Sequence, residues 1–271
     1  MNWGDTRIQV GGVDLECLCL GPPPDTAPTL VLLHEGLGCT AMWRDFPERL
    51  VDDTGYGVFA YSRAGYGASD PVSLPRPLDY MTREALEFVP NVLDAAEITN
   101  CVLVGHSDGA TIAAIHAGQV HDARVNGVVL IAPHFFTEPD GLASIRAARK
   151  AFDDGHLRAG LARYHTDPDV AFRGWCDAWL DPDFRSWNVE HVLNTIQIPI
   201  LAVQGTQDQY GSARQIETIR DRAPGPVTLH LIDKCGHSPH RECPAHLSRL
   251  IADNVSDDLT PQDDYSVRSL T

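Results

Sequence analysis

Three residues in this chain have the types and the order that serine-based acyl transfer needs. Ser107 sits in Gly105-His106-Ser107-Asp108-Gly109. A serine hydroxyl is a poor nucleophile at neutral pH. It requires a base to take its proton and donors to hold the oxyanion that forms. A strand that ends in G-x-S-x-G and turns straight into a helix meets part of that need. The serine projects from a strained turn, and the next amide, here that of Asp108, points at the forming oxyanion near a helix N-terminus. The pattern alone is common, so its flanks decide. Val102-Leu103-Val104 reads as a strand immediately before it, and Thr111-Ile112-Ala113-Ala114 as a compact helix immediately after. The plain alternative is a tight strand–helix turn with an idle serine.

The base and its acid follow from position. Of 12 histidines most must be structural or on the surface. His237 stands out because it follows the last apolar strand, in Asp233-Lys234-Cys235-Gly236-His237-Ser238-Pro239. A loop at a strand's C-terminal end faces the same sheet edge as the serine. His240 competes, but lies where the last helix should begin. Asp208 follows the penultimate strand in Val203-Gln204-Gly205-Thr206-Gln207-Asp208. Its plain reading is a turn aspartate. The chain order Ser107, Asp208, His237 is one that nucleophile-elbow sites use. Glu138 and Asp140 are the fallback acids.

The elements that must position these residues are short Val/Ile/Leu-rich runs separated by helical patterns. Arg7–Val10 and Val13–Leu20 flank Gly11-Gly12, a hairpin signal. Thr29–Leu33, Gly57–Tyr61, Cys101–Val104, Val125–Ile131, Ile198–Val203 and Val227–Ile232 read as strands. Helices are expected near Ala41–Thr54, Tyr80–Ala96, Ala110–Ala117, Ala213–Arg222 and Pro244–Ile251. In the second of these, Leu86, Val89, Leu93 and Ala96 fall on one face. This alternation predicts an α/β fold: a mostly parallel twisted sheet with helices on both faces and the hairpin as an antiparallel edge. The stretch 134–197 has no convincing strand. It carries helical segments such as Leu142–Phe152 and Val170–Leu180, and gathers Trp175, Trp179 and Trp187. It reads as a helical cap inserted into a core of 1–133 and 198–255, with a polar tail over 256–271.

With these pieces in place the chain resembles the α/β-hydrolase superfamily over nearly its whole length. The similarity runs closest to small bacterial capped esterases, enol-lactonases and carbon–carbon bond hydrolases. It rests on Leu32-Leu33-His34-Glu35-Gly36-Leu37-Gly38, on Tyr61-Ser62-Arg63-Ala64-Gly65-Tyr66-Gly67-Ala68-Ser69, on the serine motif, on Gly205-Thr206-Gln207-Asp208 and on Gly236-His237-Ser238-Pro239. These pieces are specific for a fold and not for a substrate. The resemblance implies a second oxyanion donor after the first core strand. Where the family has His-Gly, Glu35 intrudes, so the donor is Leu37, or Gly36 if Glu35 takes the glycine's place. A carboxylate there would oppose the developing charge. Glu35 is therefore expected to point away, with Arg63 as its ion partner or with solvent around it. Ser62 replaces a structural aspartate. Serine rather than aspartate at position 107 disfavours the dehalogenase and epoxide-hydrolase branches.

The expected reaction is cleavage of a carboxylic ester or lactone of a small apolar or aromatic acyl substrate through an acyl-enzyme on Ser107. A carbon–carbon or amide bond is the alternative, and a non-catalytic small-ligand receptor on the same fold is a third reading. The cap should wall the pocket. Phe135, Phe136, Phe172, Trp175, Trp179, Phe184 and Trp187 supply aromatic surface, although core packing explains most of them as well. Trp175, Trp179 and His134 are the candidate substrate contacts. No spacing implies a metal or an organic cofactor. The net charge of −16 speaks against nucleic acid or anionic lipid as a partner. No run approaches the ~18 apolar residues of a spanning helix. Seven scattered cysteines and no secretory leader point to a cytoplasmic protein. A small-molecule substrate is the one partner expected, and a homodimer stays open.

Overall fold

The structure, a computed structural model, describes residues 2–257. Its strands are β1 (Arg7–Val10), β2 (Val13–Leu20), β3 (Thr29–Leu33), β4 (Gly57–Tyr61), β5 (Cys101–His106), β6 (Val125–Ile131), β7 (Ile200–Gly205) and β8 (Val227–Ile232). They form one sheet in the order β1-β2-β4-β3-β5-β6-β7-β8. β1 and β2 pair antiparallel across a turn in which Gly11 and Gly12 both have positive φ, the backbone that a two-residue hairpin demands. β2 joins β4 antiparallel, and every later pairing is parallel. The expected α/β fold with an antiparallel edge is what the chain adopts.

Side chains alternate across this sheet as strand geometry requires. Val31 and Leu33 of β3 enter one apolar cluster and Leu30 and Leu32 the other. One face is covered by α2 (Tyr80–Arg83), α3 (Val89–Ala95), α4 (Asp108–Gln119) and α8 (Arg214–Arg222). The other is covered by α1 (Phe46–Thr54) and α10 (Pro244–Asp257), which pack on each other. Between β6 and β7 lie α5 (Pro139–Asp153), α6 (His156–Leu161), α7 (Pro168–Trp179) and two short 3₁₀ turns. A further short helix, α9 (Pro239–Glu242), precedes α10.

Three local expectations need correction. The helix read over Ala41–Thr54 is a 3₁₀ turn, Thr40–Trp43, followed by α1, with a break at Arg44, whose φ is +56°. Leu86 is 39% exposed and does not share the face of Val89, Leu93 and Ala96. Residues Glu84–Phe88 form a π turn. Its wider winding advances each residue through a smaller angle, so three residues no longer bring Leu86 back over Val89. Finally, α10 runs past Ile251 through Asp257; of the polar tail expected over 256–271, residues 258–271 lie outside the described part.

Parallel pairing in register brings the strand ends to one edge. Leu33 pairs with Gly105, His106 with Ile131, and Gly205 with Ile232. The loops that leave β3, β5, β6, β7 and β8 therefore converge there, and they carry Glu35, Ser107, His134, Asp208 and His237.

Candidate active site

Ser107 is forced into a rare conformation by its surroundings. Its φ is +54° and its ψ −118°, a backbone that costs energy for a residue with a Cβ and persists only where neighbours impose it. Two glycines make the turn feasible. A Cβ on Gly105 would lie 2.2 Å from the Gly109 carbonyl, and one on Gly109 would lie 1.9 Å from that of Leu33. The Ser107 carbonyl accepts the amides of Ala110 and Thr111, so the serine caps α4 and stands at its positive end.

His237 and Asp208 meet across the ends of β8 and β7. His237 Nδ1 donates to the carboxylate at 2.8 and 2.9 Å. The Tyr210 amide and Gln204 Nε2, each at 2.8 Å, also donate to Asp208. Burial pushes the Asp208 carboxyl up, but the His237 ring and the Tyr210 amide outweigh it and hold it below its usual range. With Nδ1 committed as a donor, neutral His237 keeps its Nε2 lone pair free. The competing residues are engaged otherwise, although Glu138 lines the same cavity as Ser107. His240 is buried against Trp43, Phe46 and His106. Glu138 accepts from Ser212 and Gln215, and Asp140 is exposed.

Ser107, Asp108, Leu37, Gly36, His134 and His237 all line one cavity of about 200 Å³. On the side of the loop after β3, the Glu35 carbonyl accepts the Gly38 amide at 3.1 Å, so the amides of Gly36 and Leu37 lie within a tight turn. His34 Nδ1 and Arg63 Nη2 donate to the same Glu35 carbonyl. His165 Nε2 donates to the Leu37 carbonyl at 3.0 Å while its Nδ1 accepts the Gly67 amide. The ion pair expected between Glu35 and Arg63 is absent. The guanidinium binds the carbonyls of His34 and Glu35, whereas the Glu35 carboxylate, mostly shielded from solvent, faces His106 Nδ1 at 3.4 Å.

The helical segment closes the opposite side. Trp175, Trp179, Phe136, Leu142, Ile145, Leu157 and Leu161 line the cavity, so it is predominantly apolar there. Trp175 lies so close to the loop that a Cβ on Gly36 would sit 2.2 Å from its indole. Phe172 instead stacks on Phe152 at 3.9 Å, and Phe184 on Trp187 at 5.0 Å. Those rings and Phe135 serve packing. His134 is buried beside Trp179 and His237, and burial together with the His237 charge pushes its pKa down to about 3, which keeps it neutral. Sequence reasoning missed the side chain of Asp108. Tyr80 donates to it, and Trp179 Nε1 donates to the Tyr80 hydroxyl at 3.0 Å, a relay that ties α7 to the serine turn. Tyr210, 4.8 Å from the His237 ring, was missed as well. Its neighbourhood to Asp208 in the chain was the available signal.

The sheet order, the strained serine turn and the convergent loops are those of an α/β hydrolase. The chain belongs to the alpha/beta hydrolase family, whose model matches residues 30–247. It is similar to the human protein "Serine hydrolase BPHL", with 26% identity over 206 residues that cover 73% of this chain and 69% of that one. Among solved structures, a bacterial membrane phospholipase A superposes with a TM-score of 0.78 at 22% identity, covering 94% of this chain and 86% of that one. The enol-lactonase of Burkholderia xenovorans LB400 gives 0.72 at 18% identity, over 92% and 99%. The protein is thus a hydrolase by family. Among the described residues no helix is long and apolar enough to cross a membrane.

Proposed function

We propose that this hydrolase cleaves a carboxylic ester or lactone with a small apolar or aromatic acyl group, through an acyl-enzyme on Ser107. One observation carries the reading: a serine held in a strained turn at a helix N-terminus lines the same cavity as a histidine whose tautomer is fixed by a buried aspartate. In this scheme His237 Nε2 takes the Ser107 proton as the hydroxyl attacks, and later returns it to the leaving group. Asp208 stabilises the imidazolium. The amides of Leu37 and Asp108 hold the oxyanion, with Gly36 as the alternative to Leu37. Water then repeats the sequence on the acyl-enzyme. Residues 134–197 act as a cap, with Trp175, Trp179 and His134 facing the acyl group. The free cysteines fit a reducing cytoplasm, and the one partner needed is a small molecule.

A fluorophosphonate probe tests the nucleophile. Labelling of the wild type and at least a thousandfold slower labelling of Ser107→Ala are expected. Equal labelling of the two proteins refutes the assignment. Activated esters of graded acyl length test the bond: turnover above the Ser107→Ala level is expected, with a preference for short or aromatic acyl groups. Labelling without turnover of any ester would shift the reading to carbon–carbon or amide bonds.

A further inference from the structure

Glu35 takes no part in that scheme, yet its carboxylate is placed with care. It folds back over Gly38, where a Cβ would lie 2.4 Å from Oε2. It reaches Nδ1 of His106, the buried residue directly before Ser107, at 3.4 Å. The other nitrogen of that ring, Nε2, lies 2.7 Å from the main-chain carbonyl of His237. A carbonyl oxygen can only accept, so Nε2 must carry a hydrogen. Nδ1 then either accepts from a protonated Glu35 or donates to an ionised one. In both cases the pair shares a single proton and is neutral as a whole.

We infer that Glu35 and His106 form a second acid–imidazole pair, which positions His237 by holding its main-chain carbonyl. The inference rests on the serine-hydrolase reading, since His237 needs exact placement only if it transfers protons. The side chain of His237 is set by Asp208, but its ring also swings with its own peptide. That peptide is held from two sides. His106 draws the carbonyl inward, while Glu242 accepts the flanking amides of Gly236 at 2.7 Å and Ser238 at 3.0 Å. Without a partner at Nδ1, the carbonyl alone orients the ring, and the His106 anchor on His237 is held from one side only. The shared proton also removes the objection to a carboxylate beside an oxyanion turn. His106 neutralises Glu35, so the pair opposes the developing charge far less than a bare carboxylate would.

Glu35→Gln, Glu35→Leu and His106→Phe test this with 4-nitrophenyl acetate and the fluorophosphonate probe, normalised to folded protein. Gln and Leu both delete the charge, and they differ in one respect: the Gln amide can still donate to Nδ1 and keep the hydrogen on Nε2. The expected result is a loss in kcat of roughly 10- to 100-fold for Leu and for His106→Phe, with KM within about twofold. Gln should stay within about threefold of the wild-type kcat. Equal rates for Gln and Leu, or wild-type kcat in both Leu and Phe variants, overturn the inference. Ser107→Ala separates the two levels. If it retains turnover and labelling, the serine reading fails; if it abolishes both while the Glu35 and His106 variants match wild type, only this inference fails. Should the substitutions not fold, ¹⁵N imidazole shifts of the wild-type protein decide: a His106 Nδ1 that is protonated or hydrogen-bonded supports the pair, and a free Nδ1 lone pair refutes it.

Discussion

Two carboxylate–imidazole pairs stand at the same sheet edge, and the second nitrogen of each ring separates their roles. In Asp208–His237 the acid is saturated: besides the ring it accepts from the Tyr210 amide and Gln204. The imidazole leans on it at 2.8 Å, its Nε2 makes no hydrogen bond among the described residues, and the residue lines the cavity. In Glu35–His106 the contact is looser, at 3.4 Å, and Nε2 is spent on a backbone carbonyl at 2.7 Å. The same two functional groups therefore make a proton carrier in one place and an anchor in the other. What decides is whether the free end of the ring meets substrate space or main chain.

One chemical change should treat the two pairs in opposite ways. In Asp208→Asn the amide side chain can donate where the carboxylate accepted, so His237 is favoured in the tautomer with its hydrogen on Nε2, which is useless as a base. A loss in kcat of about 10⁴-fold is expected, by analogy with the same substitution in a serine protease triad. Glu35→Gln should cost no more than about threefold, because an anchor needs a hydrogen bond and not a charge. Steady-state kinetics on the two variants, side by side, test the contrast. If the order is reversed, or if the two losses are equal, the division between carrier and anchor is wrong.

The sequence made one of these pairs visible and hid the other. Asp208 and His237 stand directly after strands, and the edge to which parallel strands deliver their loops follows from the alternation of apolar runs. Ser107 was legible for the same reason, since its glycines bracket a strand–helix junction. Nothing in the spacing of Glu35 and His106, 71 residues apart, says that they touch. Their meeting depends on β3 and β5 being neighbours and on the turn closed by Gly38. The resemblance flagged Glu35 as foreign but pointed to Arg63, because a charge is the partner that composition suggests. Carbonyl groups, which sequence does not display, took the guanidinium instead. The π turn that displaced Leu86 is invisible for a related reason: periodicity assumes uniform winding.

A third buried imidazole extends the comparison by having no acid in hydrogen-bond reach, although Glu35 lies near enough to act on it through space. His240 is 2% exposed, packs on Trp43, Phe46 and His106, and finds no hydrogen-bond partner among the described residues for either ring nitrogen. Burial first, then the charge of His106, pushes its pKa well below the usual histidine value. A depressed folded-state pKa means that the unfolded chain binds the extra proton first. Stability from this site is therefore complete above the unfolded value near 6.5 and is lost as pH falls below it, at about 1.4 kcal/mol per pH unit for one proton. His240→Phe removes the proton and preserves a planar ring. At pH 7.5 its stability should lie within about 1 kcal/mol of wild type, and its advantage should grow by up to one proton's worth between pH 6.5 and 5.5. Urea unfolding at the three pH values measures this. Parallel curves for the two proteins would mean that His240 is not held neutral. Ester turnover retained within about threefold in the same variant would also separate His240 from the proton carrier, since its ring has no carboxylate to fix a tautomer and no free edge on the cavity.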